Sequence, residues 1–96
     1  MSRYSLSPAA QSDLRAIREY IAGDRPQAAF RTLQKLREAF NRLADYPGLG
    51  RSRPEWAAAP IRFYAIEGFT IIYRPGAQVE ILRVAGKGRD IEGLLS

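Results

Sequence analysis

The sequence predicts an α+β domain: an N-terminal strand, an antiparallel two-helix hairpin, then a three-stranded antiparallel meander, with the helices packed on one face of the sheet. Three observations predict this β-α-α-β-β-β order. Two apolar stripes at helical spacing lie between residues 8 and 45, a Pro/Gly-rich loop follows, and three short apolar runs between 61 and 85 are divided by turn residues. A chain of 96 residues is expected to form a single domain over 1–96.

Tyr4 and Leu6 alternate with Arg3, Ser5 and Ser7, the pattern of a short strand. Ser7-Pro8 reads as a helix start, with Ser7 as N-cap and Pro8 in the first helical position. Ala10, Leu14, Ile17 and Ile21 then share one face of a helix over about 8–22, with Asp13, Arg15, Arg18 and Glu19 pointing elsewhere. Gly23 ends it. Asp24 is a candidate cap for the next helix, and Pro26 fits its first turn. Ala29, Leu33, Leu36, Phe40 and Leu43 carry the clearest helical period in the chain, which runs to about Asp45 and stops at Tyr46-Pro47-Gly48. The short link between the helices makes them antiparallel.

Residues 46–60 hold three of the six prolines and read as a loop. Strands are expected over 61–66, 69–74 and 79–85, with a turn at Gly68 and a type II turn at Pro75-Gly76. A last helical turn fits 89–95. In the third of these strands Leu82 and Val84 alternate with Val79, Ile81 and Arg83, so both faces of the sheet are partly apolar. Two helices cover one face. The loop, the C-terminal segment or another chain must close the other.

The charge is +5, and arginine supplies 13 of the 15 basic residues. Planar guanidinium groups match carboxylate and phosphate, so the partner is acidic: nucleic acid or an acidic protein segment. Cysteine and histidine are absent, which removes thiolate metal sites, disulfides, the commonest metal ligand and the usual general base. No pair of carboxylates stands at a spacing for acid–base work. No metal, cofactor or small-molecule substrate is expected, and the reading is not an enzyme. No apolar run approaches the ~20 residues of a membrane span, and no apolar signal core follows Met1-Ser2-Arg3-Tyr4. The expected location is the cytoplasm.

Several residues stand out as contact candidates. Arg62, Arg83, Lys87 and Arg89 lie on or just after strands. Arg83 interrupts an apolar face and needs an acidic partner, either internal, such as Glu80 or Asp90, or external. Gly86-Lys87-Gly88-Arg89 lacks the spacing of a phosphate loop and reads as a turn or a basic contact loop. Arg31, Lys35, Arg37 and Arg42 lie along the second helix, as a solvated surface or as a grip for an acidic segment. Trp56, the only tryptophan, fits a lid over the helix–sheet seam or an interface anchor.

In this order the residues resemble the ParE/RelE toxin superfamily, and most closely its ParE branch. The resemblance rests on Tyr4-Ser5-Leu6-Ser7-Pro8-Ala9-Ala10 with Asp13-Leu14, Ile17 and Tyr20-Ile21, and on Tyr46-Pro47-Gly48-Leu49-Gly50-Arg51 with Arg53-Pro54-Glu55. It continues through Ile71-Ile72-Tyr73-Arg74, Val79-Glu80-Ile81-Leu82-Arg83-Val84 and Arg89-Asp90, and so spans nearly the whole chain.

The resemblance implies the toxin of a type II toxin–antitoxin system, which inhibits bacterial growth through DNA gyrase and is neutralised by a ParD-like antitoxin. DNA is then met only indirectly, through the antitoxin or gyrase. Arg62, Arg83, Lys87 and Arg89 are the expected target contacts, and Arg31, Lys35 and Trp56 the expected antitoxin contacts. The RelE branch instead cuts messenger RNA on the ribosome, with an arginine on the middle strand, another after the last strand and a C-terminal tyrosine. Alignment on the Gly68 turn and the Gly86 loop puts Thr70, Gly88 and Leu94 at those places, and no tyrosine follows Tyr73. A RelE-like endonuclease and a non-toxic basic nucleic-acid-binding module are the alternatives. ParE-branch sequences often carry a histidine after the last strand, where this chain reads Ala85-Gly86-Lys87.

Overall fold

In a computed structural model that describes residues 3–23, 25–86 and 89–95, β1 (Tyr4–Leu6) leads into α1 (Pro8–Ala22) and α2 (Pro26–Asp45). There follow β2 (Arg51–Ser52), β3 (Arg62–Ile66), β4 (Phe69–Arg74), β5 (Val79–Ala85) and α3 (Ile91–Leu95). The strands form one mixed sheet in the order β1-β5-β4-β3-β2. β1 runs parallel to β5, and every other pair is antiparallel. The predicted class and element order hold. β2 is an addition: the loop contributes two residues that pair with Phe63 and Arg62.

Ser7 joins the first two elements. Its Oγ accepts the Ala10 N–H at 3.0 Å, capping α1. It also donates to the Leu82 carbonyl at 2.7 Å, while the Ser7 N–H reaches the Ile81 carbonyl at 2.9 Å. One side chain therefore starts the helix and fastens it to β5. Gly23 ends α1 in a right-handed helical conformation, not the left-handed one of a glycine C-cap. Arg25 is the N-cap of α2 and makes no side-chain capping bond. The cap expected at Asp24 lies outside the described residues.

The core lies between the helices and the sheet. Leu33, Leu36, Ala39, Phe40 and Leu43 of α2 and Ala10 of α1 pack against Ile71, Tyr73, Val79, Ile81 and Val84. Tyr4 meets Phe40 at 5.3 Å between ring centres. The alternation expected in β5 fails at an irregularity in the β4–β5 register: Tyr73 pairs with Ile81, but Ile72 pairs with Arg83. Leu82 is the extra residue. Val79, Ile81 and Val84 thus reach the same core, and Arg83 leaves the face it was expected to share with Val79 and Ile81.

Glu67 and Gly68, both at positive φ (53° and 83°), close the β3–β4 hairpin in the manner of a type I′ turn. Gly76 has no positive φ, so the β4–β5 link is not the expected type II turn. Residues 75–78 separate the two strands instead.

Candidate functional site

Charge fastens α1 to the open end of β5. β1 accompanies β5 only as far as Ile81. Beyond it, the Asp13 carboxylate accepts the Val84 N–H at 2.8 Å and a two-pronged hydrogen bond from Arg83, whose Nε and Nη2 each lie at 2.9 Å. The bond to Asp13 raises the Arg83 pKa above its ordinary value and outweighs burial, which pulls it down. Arg83 therefore has an internal partner, but it is Asp13 rather than Glu80 or Asp90; Glu80 pairs with Arg74 at 3.2 Å. Asp13 does not point away from the core either. It stands three residues after Ala10 and four before Ile17, on the apolar stripe itself, and that spacing was the available signal.

Arg89 is exposed, and its backbone N–H bonds the Gly86 carbonyl at 3.2 Å. It borders a groove of about 610 Å³ lined also by Asp13, Ile17, Tyr20, Phe69 and Val84. Tyr20 is 90% exposed, so an aromatic ring and a cation stand on one accessible rim. Lys87, the other candidate in this loop, lies outside the described residues, as does Gly88.

Arg62 points elsewhere. Its Nη1 donates to the Gly50 carbonyl at 2.6 Å. The same glycine gives its N–H to the Tyr73 hydroxyl at 2.8 Å, and that hydroxyl donates to the Pro47 carbonyl at 2.6 Å. A β-carbon on Gly50 would lie 2.6 Å from the Tyr73 oxygen, so only glycine fits there. Burial raises the Tyr73 pKa. The sheet thus holds the loop that carries β2 by two polar side chains. The Tyr73 hydroxyl went unnoticed in the sequence because its partners stand more than 20 residues away.

Arg31 and Lys35 lie exposed on α2 beside a shallow pocket with Glu67 and Phe69, and Lys35 Nζ is 3.2 Å from the Glu67 carboxylate. Trp56 lies in a different pocket. It meets Phe63 edge-on at 5.2 Å, with the Arg53 guanidinium 5.0 Å from its ring centre. Tyr64 packs against the helical core, so Phe63, its neighbour in the strand, faces the other way. Trp56 therefore covers the sheet face away from the helices, not the helix–sheet seam. The loop is what closes this part of the second face. Trp56, Arg31 and Lys35 are not brought together.

The sequence matches, over residues 4–91, the family described as ParE toxin of type II toxin-antitoxin system, parDE. Among solved structures it is similar to a chain of the "Chromosomal ParDE TA system from P. aeruginosa", at 26% identity and a TM-score of 0.67, covering 90% of this chain and 99% of that one. No curated protein sequence matches.

Proposed function

The chain belongs to the ParE toxin family of type II toxin–antitoxin systems, and from that premise we propose that it is a non-enzymatic toxin that inhibits DNA gyrase in the cytoplasm and is neutralised by a ParD-like antitoxin. The family match over residues 4–91 carries this reading. The side chains support it against RNA cleavage. Thr70 brings no positive charge to the middle strand, and the half-buried Leu94 has no ionisable group. Among the described residues no helix is long and apolar enough to cross a membrane, which is compatible with action in the cytoplasm.

The geometry ranks the proposed target contacts. Arg62 and Arg83 are engaged within the fold, to Gly50 and Asp13. Arg89 stands exposed on the rim of the α1–β5 groove and is the residue to test first. On the antitoxin side, Arg31 and Lys35 offer cations to an acidic segment. The exposed Lys35–Glu67 pair is of the kind worth under about 1 kcal/mol, so an incoming carboxylate can displace it. Such a segment, folding as it binds, forms a broad contact that proteolysis of the free antitoxin removes.

Induced expression in bacteria tests the reading. DNA synthesis should stop and cells should elongate while transcripts stay intact, and Arg89→Ala should relieve the arrest at an unchanged melting temperature. Fragmented transcripts with continuing DNA synthesis would contradict the proposal.

A further inference from the structure

The pocket beside Trp56 lies apart from the core and from the α1–β5 groove, and it brings two arginines to one aromatic surface. It holds about 410 Å³ between the loop and strands β2, β3 and β4 and is lined by Arg51, Arg53, Trp56, Phe63, Ala65 and Thr70, among others. Strand register fixes which side these residues take. Arg51 pairs directly with Phe63, and paired residues project to the same face of a sheet. Ala65, two residues on from Phe63, pairs with Thr70. Arg51, Phe63, Ala65 and Thr70 therefore share the face away from the helices, and Trp56 lies across Phe63 on that face.

The charges here are weakly held. Arg51 is exposed. Arg53 is tied only loosely, at 3.4 Å to the exposed Glu55 carboxylate, while its guanidinium rests over the Trp56 ring. A guanidinium over an indole marks a position where a flat, electron-poor or cationic group is favoured. Two arginines, a flat aromatic surface and a threonine hydroxyl thus meet in one open cleft.

We infer that this cleft binds a nucleotide unit of single-stranded nucleic acid, with the base stacked on Trp56 and its phosphate held by Arg51 and Arg53. A base arriving on Trp56 takes the place of the Arg53 guanidinium, which then turns to the phosphate. Stacking accepts any base, since every base has a flat π-face, and arginine holds the backbone without reading sequence. Duplex DNA keeps its bases inside the stack and cannot make the aromatic contact. This site is separate from the groove bordered by Arg89 and does not depend on gyrase being the target.

The only tryptophan in the chain is then its own reporter. Titration of the whole protein with dT and rU decamers should quench its fluorescence, and binding of either strand supports the inference while identifying the preferred sugar. By anisotropy of a labelled strand, Trp56→Phe should bind within about threefold of wild type, and Trp56→Leu about tenfold more weakly. The double variant Arg51→Ala with Arg53→Ala should lower the slope of log affinity against log salt by roughly 0.7 to 1.4, for one or two phosphates released. Three results would overturn the site: no quenching by either strand, equal quenching by duplex DNA or by an oligoglutamate peptide, or an arginine double variant that melts like wild type and binds with an unchanged salt slope.

Discussion

Tyr73 lies at 0% exposure with a hydroxyl that must find partners. It donates to Pro47 and accepts from Gly50, so the core closes without an orphaned polar group and the loop after α2 is held to the sheet. Tyr73→Phe leaves that carbonyl and N–H unmatched and should cost about 1–3 kcal/mol in urea denaturation. It should also change the pH profile. Burial raises the Tyr73 pKa above the ordinary tyrosine value of about 10. Above that value the unfolded chain loses this proton first, so the folded state binds more protons and its stability falls as pH rises towards the folded pKa. Below pH of about 10 the group contributes no slope. The alkaline loss should be smaller in the phenylalanine variant, and equal losses in both proteins would remove Tyr73 as the cause.

At the level of elements, the Asp13 carboxylate joins a helix to a strand edge that β1 leaves uncovered. Asp13→Ala strips the partner from an Arg83 side chain that is 26% exposed and leaves the Val84 N–H unmatched. A loss of about 1–3 kcal/mol is expected, below that of a fully buried pair because solvent reaches the guanidinium. Asp13→Asn keeps an acceptor for Val84 and should lose less, and equal losses for the two variants would show that the backbone bond adds nothing. The sequence signals divide here by range. α1 and α2 were legible almost to the residue, because Ser7, Pro8, Pro26 and the apolar stripes act within a few positions. The parallel β1–β5 pairing, the irregularity at Leu82 and the Asp13–Arg83 clamp were not, since each joins residues some 70 positions apart or depends on a neighbouring strand. Strict alternation in β5 failed for that reason, and it put Arg83 on the wrong face.

The whole molecule has an uneven surface. α1 and α2 seal one face of the sheet, while on the other the loop lays Trp56 over Phe63. The contact residues chosen from sequence alone are dispersed by the fold. Arg62 and Arg83 are drawn into internal bonds, Arg89 stays exposed on the groove rim, and Arg31 and Lys35 stand apart from Trp56. Charge and type were readable in the sequence; internal engagement was not, because it depends on which backbone groups the loop and α1 present. Of these residues, Arg31, Lys35 and Arg89 stay outward as cations suited to gripping acidic partners. The most direct measurement of the central claim is a cleavage assay with purified gyrase, supercoiled plasmid and this protein, stopped with detergent. The account predicts that linear plasmid accumulates with toxin concentration. Unchanged plasmid topology at saturating toxin, with transcripts cut by the same preparation in a translating extract, would contradict it.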